Sequence, residues 1–178
     1  MSDFRAGVRD LVAEILKQRL PDLKGGVFPA RDWPLQEHQV PAVLVYGYEE
    51  TKTGQGLSGD RSTFEVSCIM AVQVKTEAAG RHTGAVEQEL ERICQTVCLA
   101  LLTSRALLDM ETGRIERIDS VKTTLNIDAK TGEKALGQAL IALDLRWREF
   151  YDLPPVDVDC EEPTLTFRII PDPSATAP

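Results

Sequence analysis

The sequence predicts an α+β fold, a mixed and mainly antiparallel sheet with two main helices packed on one face. Three observations carry that expectation. Phe64, Val66, Cys68, Met70, Val72 and Val74 alternate with Glu65, Ser67, Gln73 and Lys75, the period of two of a strand with one buried face. Val86, Leu90, Ile93, Cys94, Val97 and Leu101 then recur every three or four residues, the stripe of an amphipathic helix. Finally, Val121, Leu125 and Ile127, followed by Ile141, Leu143, Leu145 and Trp147, describe two more half-buried strands joined by the turn Asp128–Glu133. Runs of strands separated by helices, without a regular strand-helix alternation, belong to α+β rather than α/β folds.

The elements follow in order. Phe4, Val8, Leu11, Val12, Ile15 and Leu16 form the apolar face of a first helix, with Ser2 as its cap and Pro21 as its stop. Lys24-Gly25-Gly26 breaks the chain, Val27 and Phe28 begin a short strand, and Arg31 to Gln39 reads as a loop. Within it, Trp33 is a core plug or an exposed contact. Pro41 admits a strand over Ala42–Tyr48 whose nearly continuous apolar run suits a sheet centre. Glu49 to Asp60, rich in Gly, Thr and Ser, reads as a long flexible hairpin loop. Thr83 is the expected N-cap of the central helix, and its early glutamates suit the positive end of the helix dipole. Ile69 and Ala71 interrupt the polar side of the long strand, which implies that part of that face is covered. Ser104 to Met110 adds a short helical turn, Arg114 to Ile127 a strand, and Leu136 to Tyr151 the returning strand.

The chain divides at Tyr151. Residues 1–151 form the α+β domain, and 152–178 form a proline-rich, acidic C-terminal extension. Embedded in the extension is Thr164-Leu165-Thr166-Phe167-Arg168-Ile169-Ile170, a β-prone string that either finishes the sheet in its own subunit or adds to the edge of a neighbour.

With 178 residues, a net charge of -8 and a pI of about 4.8, the chain is long enough for an ordinary core and too acidic for a general nucleic-acid surface. It has no apolar run of some 18 residues and no signal-peptide pattern, so a soluble protein folded in a cytoplasm, with no membrane partner, is expected. The four cysteines do not space like a disulfide framework.

Chemistry is hard to assemble from these residues. Cys94 and Cys98 share a helical face, but structural zinc takes about four ligands and the histidines are His38 and His82 alone. A thiol nucleophile needs an accessible, electropositive setting, whereas these cysteines lie on or near the apolar stripe. Glu87 and Glu91, one turn apart, read as solvated charges. Gly54-Gln55-Gly56-Leu57-Ser58-Gly59 matches the three-glycine dinucleotide pattern letter for letter, yet a strand follows it where that motif requires a helix. Arg146 and Arg148, on the polar side of the last strand, form either an anion site or a cross-strand ion-pair ladder. The expectation is no enzyme, no metal and no cofactor.

The order of elements resembles the tail terminator proteins of long-tailed bacteriophages and prophages. The opening helix, Pro41-Ala42-Val43-Leu44-Val45, the glycine-rich segment, the long strand and central helix carry the resemblance. So do Thr123-Thr124-Leu125-Asn126-Ile127 and Gly132-Glu133-Lys134-Ala135-Leu136-Gly137-Gln138-Ala139 in the final hairpin. It spans roughly Phe4 to Tyr151. The resemblance implies a structural protein, made in the host cytoplasm and incorporated in the virion tail. Such a protein caps the tail tube as a hexameric homo-oligomer, ends tail polymerisation and offers the head-tail joining surface. Its implied partners are the tail tube protein and a head-completion protein, with DNA passing through a lumen without specific binding. Gly54, Gln55, Gly56, Leu57, Ser58 and Gly59, with Arg146 and Arg148, are the expected interaction residues. The alternatives are another neck or tail-completion protein, or a small-ligand-binding α+β domain.

Overall fold

The computed structural model describes residues 4–29, 39–58, 61–79, 83–108, 115–128 and 134–153. The elements run α1 (Phe4–Arg19), β1 (Val27–Pro29), β2 (Ala42–Ser58), β3 (Arg61–Ala79), α2 (Thr83–Leu102), α3 (Arg105–Leu108), β4 (Arg117–Asp128) and β5 (Lys134–Asp152). They build one five-stranded sheet in the order β1-β2-β3-β5-β4. The β1–β2 pair is parallel and the other three pairs are antiparallel, so the fold is α+β with a mixed, mainly antiparallel sheet.

Both main helices lie on one face of that sheet. Val66, Cys68, Met70, Val72 and Val74 of β3 and Ala139, Ile141, Leu143, Leu145 and Trp147 of β5 are buried beneath them. Val8, Val12, Ile15 and Leu16 of α1 and Val86, Leu90, Ile93, Val97 and Leu101 of α2 close the same core. Removing this apolar surface from water is the main stabilising term, at roughly 25 cal/mol per Å². The close helix-to-sheet joint is at Gly137 of β5. A Cβ there would meet Val86 Cγ1 at 2.3 Å and Leu90 Cδ1 at 2.8 Å, so only glycine lets α2 sit this close to the sheet.

The opposite face is not uniformly polar. Ala42, Leu44 and Ala71 are buried there and Ile69 is half-buried, in line with the interruption of polar residues at Ile69 and Ala71. The X-Pro bond Val40–Pro41 is cis.

One expectation is corrected. Glu49 to Ser58 is not a loop: it continues β2 in antiparallel register with β3, from Glu49↔Ile69 to Ser58↔Arg61. Thr, Lys and Gly weaken the strand pattern in the sequence, but the backbone pairs regardless, because β3 continues alongside and β5 pairs with β3 as far as Arg61↔Asp152. The extra residues are absorbed by two bulges in β2, one between Gly47 and Glu49 and one between Gly54 and Gly56. Gly56, at φ 108°, takes a left-handed conformation that suits the second bulge. Other boundaries shift slightly: β4 begins at Arg117, β5 at Lys134, and α2 already includes Thr83. The proposed cap Ser2, the loop residue Trp33 and the Thr164–Ile170 string lie outside the described residues.

Candidate assembly surface

The three strands β2, β3 and β5 extend past the helices as an arm. On the arm, Thr51 to Leu57 are all exposed, Leu57 at 69%. Among the expected interaction residues, Gly54, Gln55, Gly56, Leu57 and Ser58 therefore belong to a paired strand near the tip, while Gly59 lies outside the described residues. Gln55, the unpaired residue of the outer bulge, donates from Nε2 to Glu65 Oε2 at 3.3 Å.

On the helix-facing side of the arm lies a cluster that reading the sequence missed. Register places Lys52 beside Val66 and Val66 beside Trp147, with Phe64 beside Glu149. Glu149 accepts hydrogen bonds from Trp147 Nε1 at 2.9 Å, from Lys52 Nζ at 2.5 Å and from the Tyr151 hydroxyl. Lys52 Nζ also donates to the Tyr151 hydroxyl oxygen at 2.7 Å and lies 3.4 Å from Glu50 Oε1. Burial opposes the charge on Glu149, but the donors from Lys52, Tyr151 and Trp147 outweigh it and hold its pKa below the usual glutamate value. Burial likewise opposes the charge on Lys52, and Glu149, Tyr151 and Glu50 more than offset it, so its pKa is raised. Phe64 stacks edge-on against Tyr151, with ring centroids 5.6 Å apart, and Phe4 of α1 covers Trp147 at 5.2 Å. This arrangement clamps the base of the arm to the core. Its members are 97 and 99 positions apart, so only the register of three strands could have revealed it.

Arg146 and Arg148 resolve into an ion-pair ladder on the other sheet face. Arg146 Nε lies 2.7 Å from Asp119 Oδ2, close but not aligned as a hydrogen bond, with Glu65 and Asp144 each 3.9 Å away. Arg148 Nε is 2.9 Å from Glu116 Oε1. A hydrogen bond from Arg117 Nε at 2.6 Å holds Asp119 below the usual aspartate pKa. With carboxylates already beside both guanidinium groups, the cross-strand reading fits this geometry better than an anion site.

The thiols behave as core. Cys68 and Cys94 are buried and Cys98 is half-buried, all three unbridged. Burial, followed by the neighbouring Cys98 and Glu91, pushes the Cys94 thiol up to about 11. Burial also raises Cys98, against a side-chain hydrogen bond with Thr123. Glu87 and Glu91 are exposed, and both histidines lie outside the described residues. Among the described residues, no group of His, Cys, Asp and Glu is arranged to hold a metal ion, and no helix is long and apolar enough to cross a membrane.

No protein-family model matches the chain, and no curated protein matches it either.

Proposed function

We propose that this chain is a structural tail protein of the tail terminator type. In this reading it assembles as a ring on the finished tail tube, stops tube growth, presents the surface that a head-completion protein joins and carries out no catalysis. The observation that carries the reading is the arm. Its exposed distal half of β2, anchored at its base by Glu149, Lys52 and Trp147, is paired strand that lies outside the core. Side chains already held on paired strands are offered to a neighbouring subunit at less ordering cost than those of a flexible loop. The element order from Phe4 to Tyr151 supports the family resemblance, and the net charge of -8 suits a lumen that lets DNA pass without holding it.

The test combines mass in solution with negative-stain imaging and capping of purified tail tubes. The expected result is a closed ring that seats on tube ends. Deleting Gly54 to Gly59 should leave the melt cooperative and abolish both ring and capping. A wild-type chain that stays monomeric and never caps tubes would overturn the proposal.

A further inference from the structure

The outer edge of β4 is built to accept one more strand. Among the described residues β4 pairs only with β5, and from Ser120 to Asp128 that pairing runs without irregularity. A regular edge strand presents unpaired N–H and C=O groups that template another strand. The side chains beside this edge are also incompletely covered. Val121 and Leu125 share the helix-side face with Leu143 and Ala139, both buried, yet remain 36% and 43% exposed. Between them Thr123 bonds Cys98 of α2, and one helical turn on, Leu102 is 45% exposed. The edge thus combines open backbone with an apolar margin on one side, the two things a strand-addition ligand uses.

We propose that the occupant is the segment Thr164–Ile170 of a second copy of this chain, antiparallel to β4. This rests on the oligomeric reading above. Leu165, Phe167 and Ile169 alternate with Thr164, Thr166 and Arg168, so the added strand has one apolar face that matches the helix-side margin. Phe167 sits opposite Leu125, with Leu165 beside Ile127 and Ile169 beside Thr123. That register puts Arg168 opposite Thr124 and away from a direct pairing with Lys122, where like charges would repel.

The tether decides between its own copy and a second one. Described structure ends at Leu153, and twelve residues lead from there to Leu165. Fully extended, at about 3.6 Å per residue, they span at most about 43 Å. Ile127 lies level with Gly137 of β5, so at about 3.3 Å per residue Leu165 would have to travel back about 53 Å along the sheet. A neighbouring copy has no such limit.

Two full-length variants test this by mass in solution: Leu125→Glu on the edge and Phe167→Glu in the tail. Each alone should lose the wild-type assembly and fall to the 19.7 kDa chain mass. Their equimolar mixture retains one intact edge and one intact tail, and should give a species of about twice that mass. A cooperative melt checks folding, and Thr123→Glu, at the exposed position beside Ile169, replaces Leu125→Glu if the latter does not fold. A Phe167→Glu chain that keeps wild-type mass, or a mixture that stays monomeric, overturns the strand exchange while leaving the ring reading intact. A monomeric wild type overturns both.

Discussion

At the scale of single residues, two glycines make opposite demands. Gly7 sits in α1 with open space where a Cβ would go, so Gly7→Ala should raise stability by about 0.4–1 kcal/mol through helix propensity and a less flexible unfolded chain. Gly137→Ala forces Val86 and Leu90 back from the sheet and should cost about 1–3 kcal/mol as an overpacked joint. Urea titration of the two variants checks both signs at once. Cys94 adds a pH signature. Its thiol ionises near 9.0 when exposed and near 11 when folded, so below 9.0 both states hold the proton and the group is neutral to stability. As pH rises from 9 to 11 the unfolded chain loses the proton first, and stability should fall by about 2–3 kcal/mol at about 1.4 kcal/mol per pKa unit. Cys94→Ala should flatten that part of the stability profile measured by urea denaturation.

At the scale of elements, the arm depends on its clamp. Glu149 carries the acceptor for Trp147 Nε1 and the counter-charge for Lys52, so Glu149→Ala should cost about 1.5–3 kcal/mol, the range for hydrogen bonds to charged groups. Because the folded pKa of Glu149 is depressed, its contribution is complete above the ordinary glutamate range and is lost as pH falls through the folded value. Trp147 fluorescence followed through an acid titration should report that loss, and Glu149→Gln should abolish its pH dependence. Most elements were legible in the sequence, because a period of two in β3 and β5 and a period near 3.6 in α2 each reflect a single buried face. The distal half of β2 was not. Its run Thr51-Lys52-Thr53-Gly54-Gln55-Gly56 is exposed, so no burial period marks it, and its strand character comes wholly from the ladder with β3. The clamp stayed hidden for the same reason, since Lys52 and Glu149 meet only once that ladder exists. Arg146 and Arg148 were legible as to face and, without Asp119 and Glu116 placed beside them, ambiguous as to role.

At the scale of the molecule, the sheet has two unlike borders. β4 runs regularly from Ser120 to Asp128, whereas β2, paired among the described residues to β1 at Val43–Val45, carries two bulges in its remaining length. Bulges increase local twist and interrupt the even spacing that another strand needs. Among the described residues the sheet therefore has one receptive border and one guarded one, and sheet-to-sheet growth finds no second regular edge there. In the ring proposed above, that asymmetry would guard against growth into a fibre. Tyr48 and Gln55, the two unpaired residues, are the guards. Deleting both should straighten β2 and yield a chain that scatters light and binds amyloid dyes on standing, where the wild type does not.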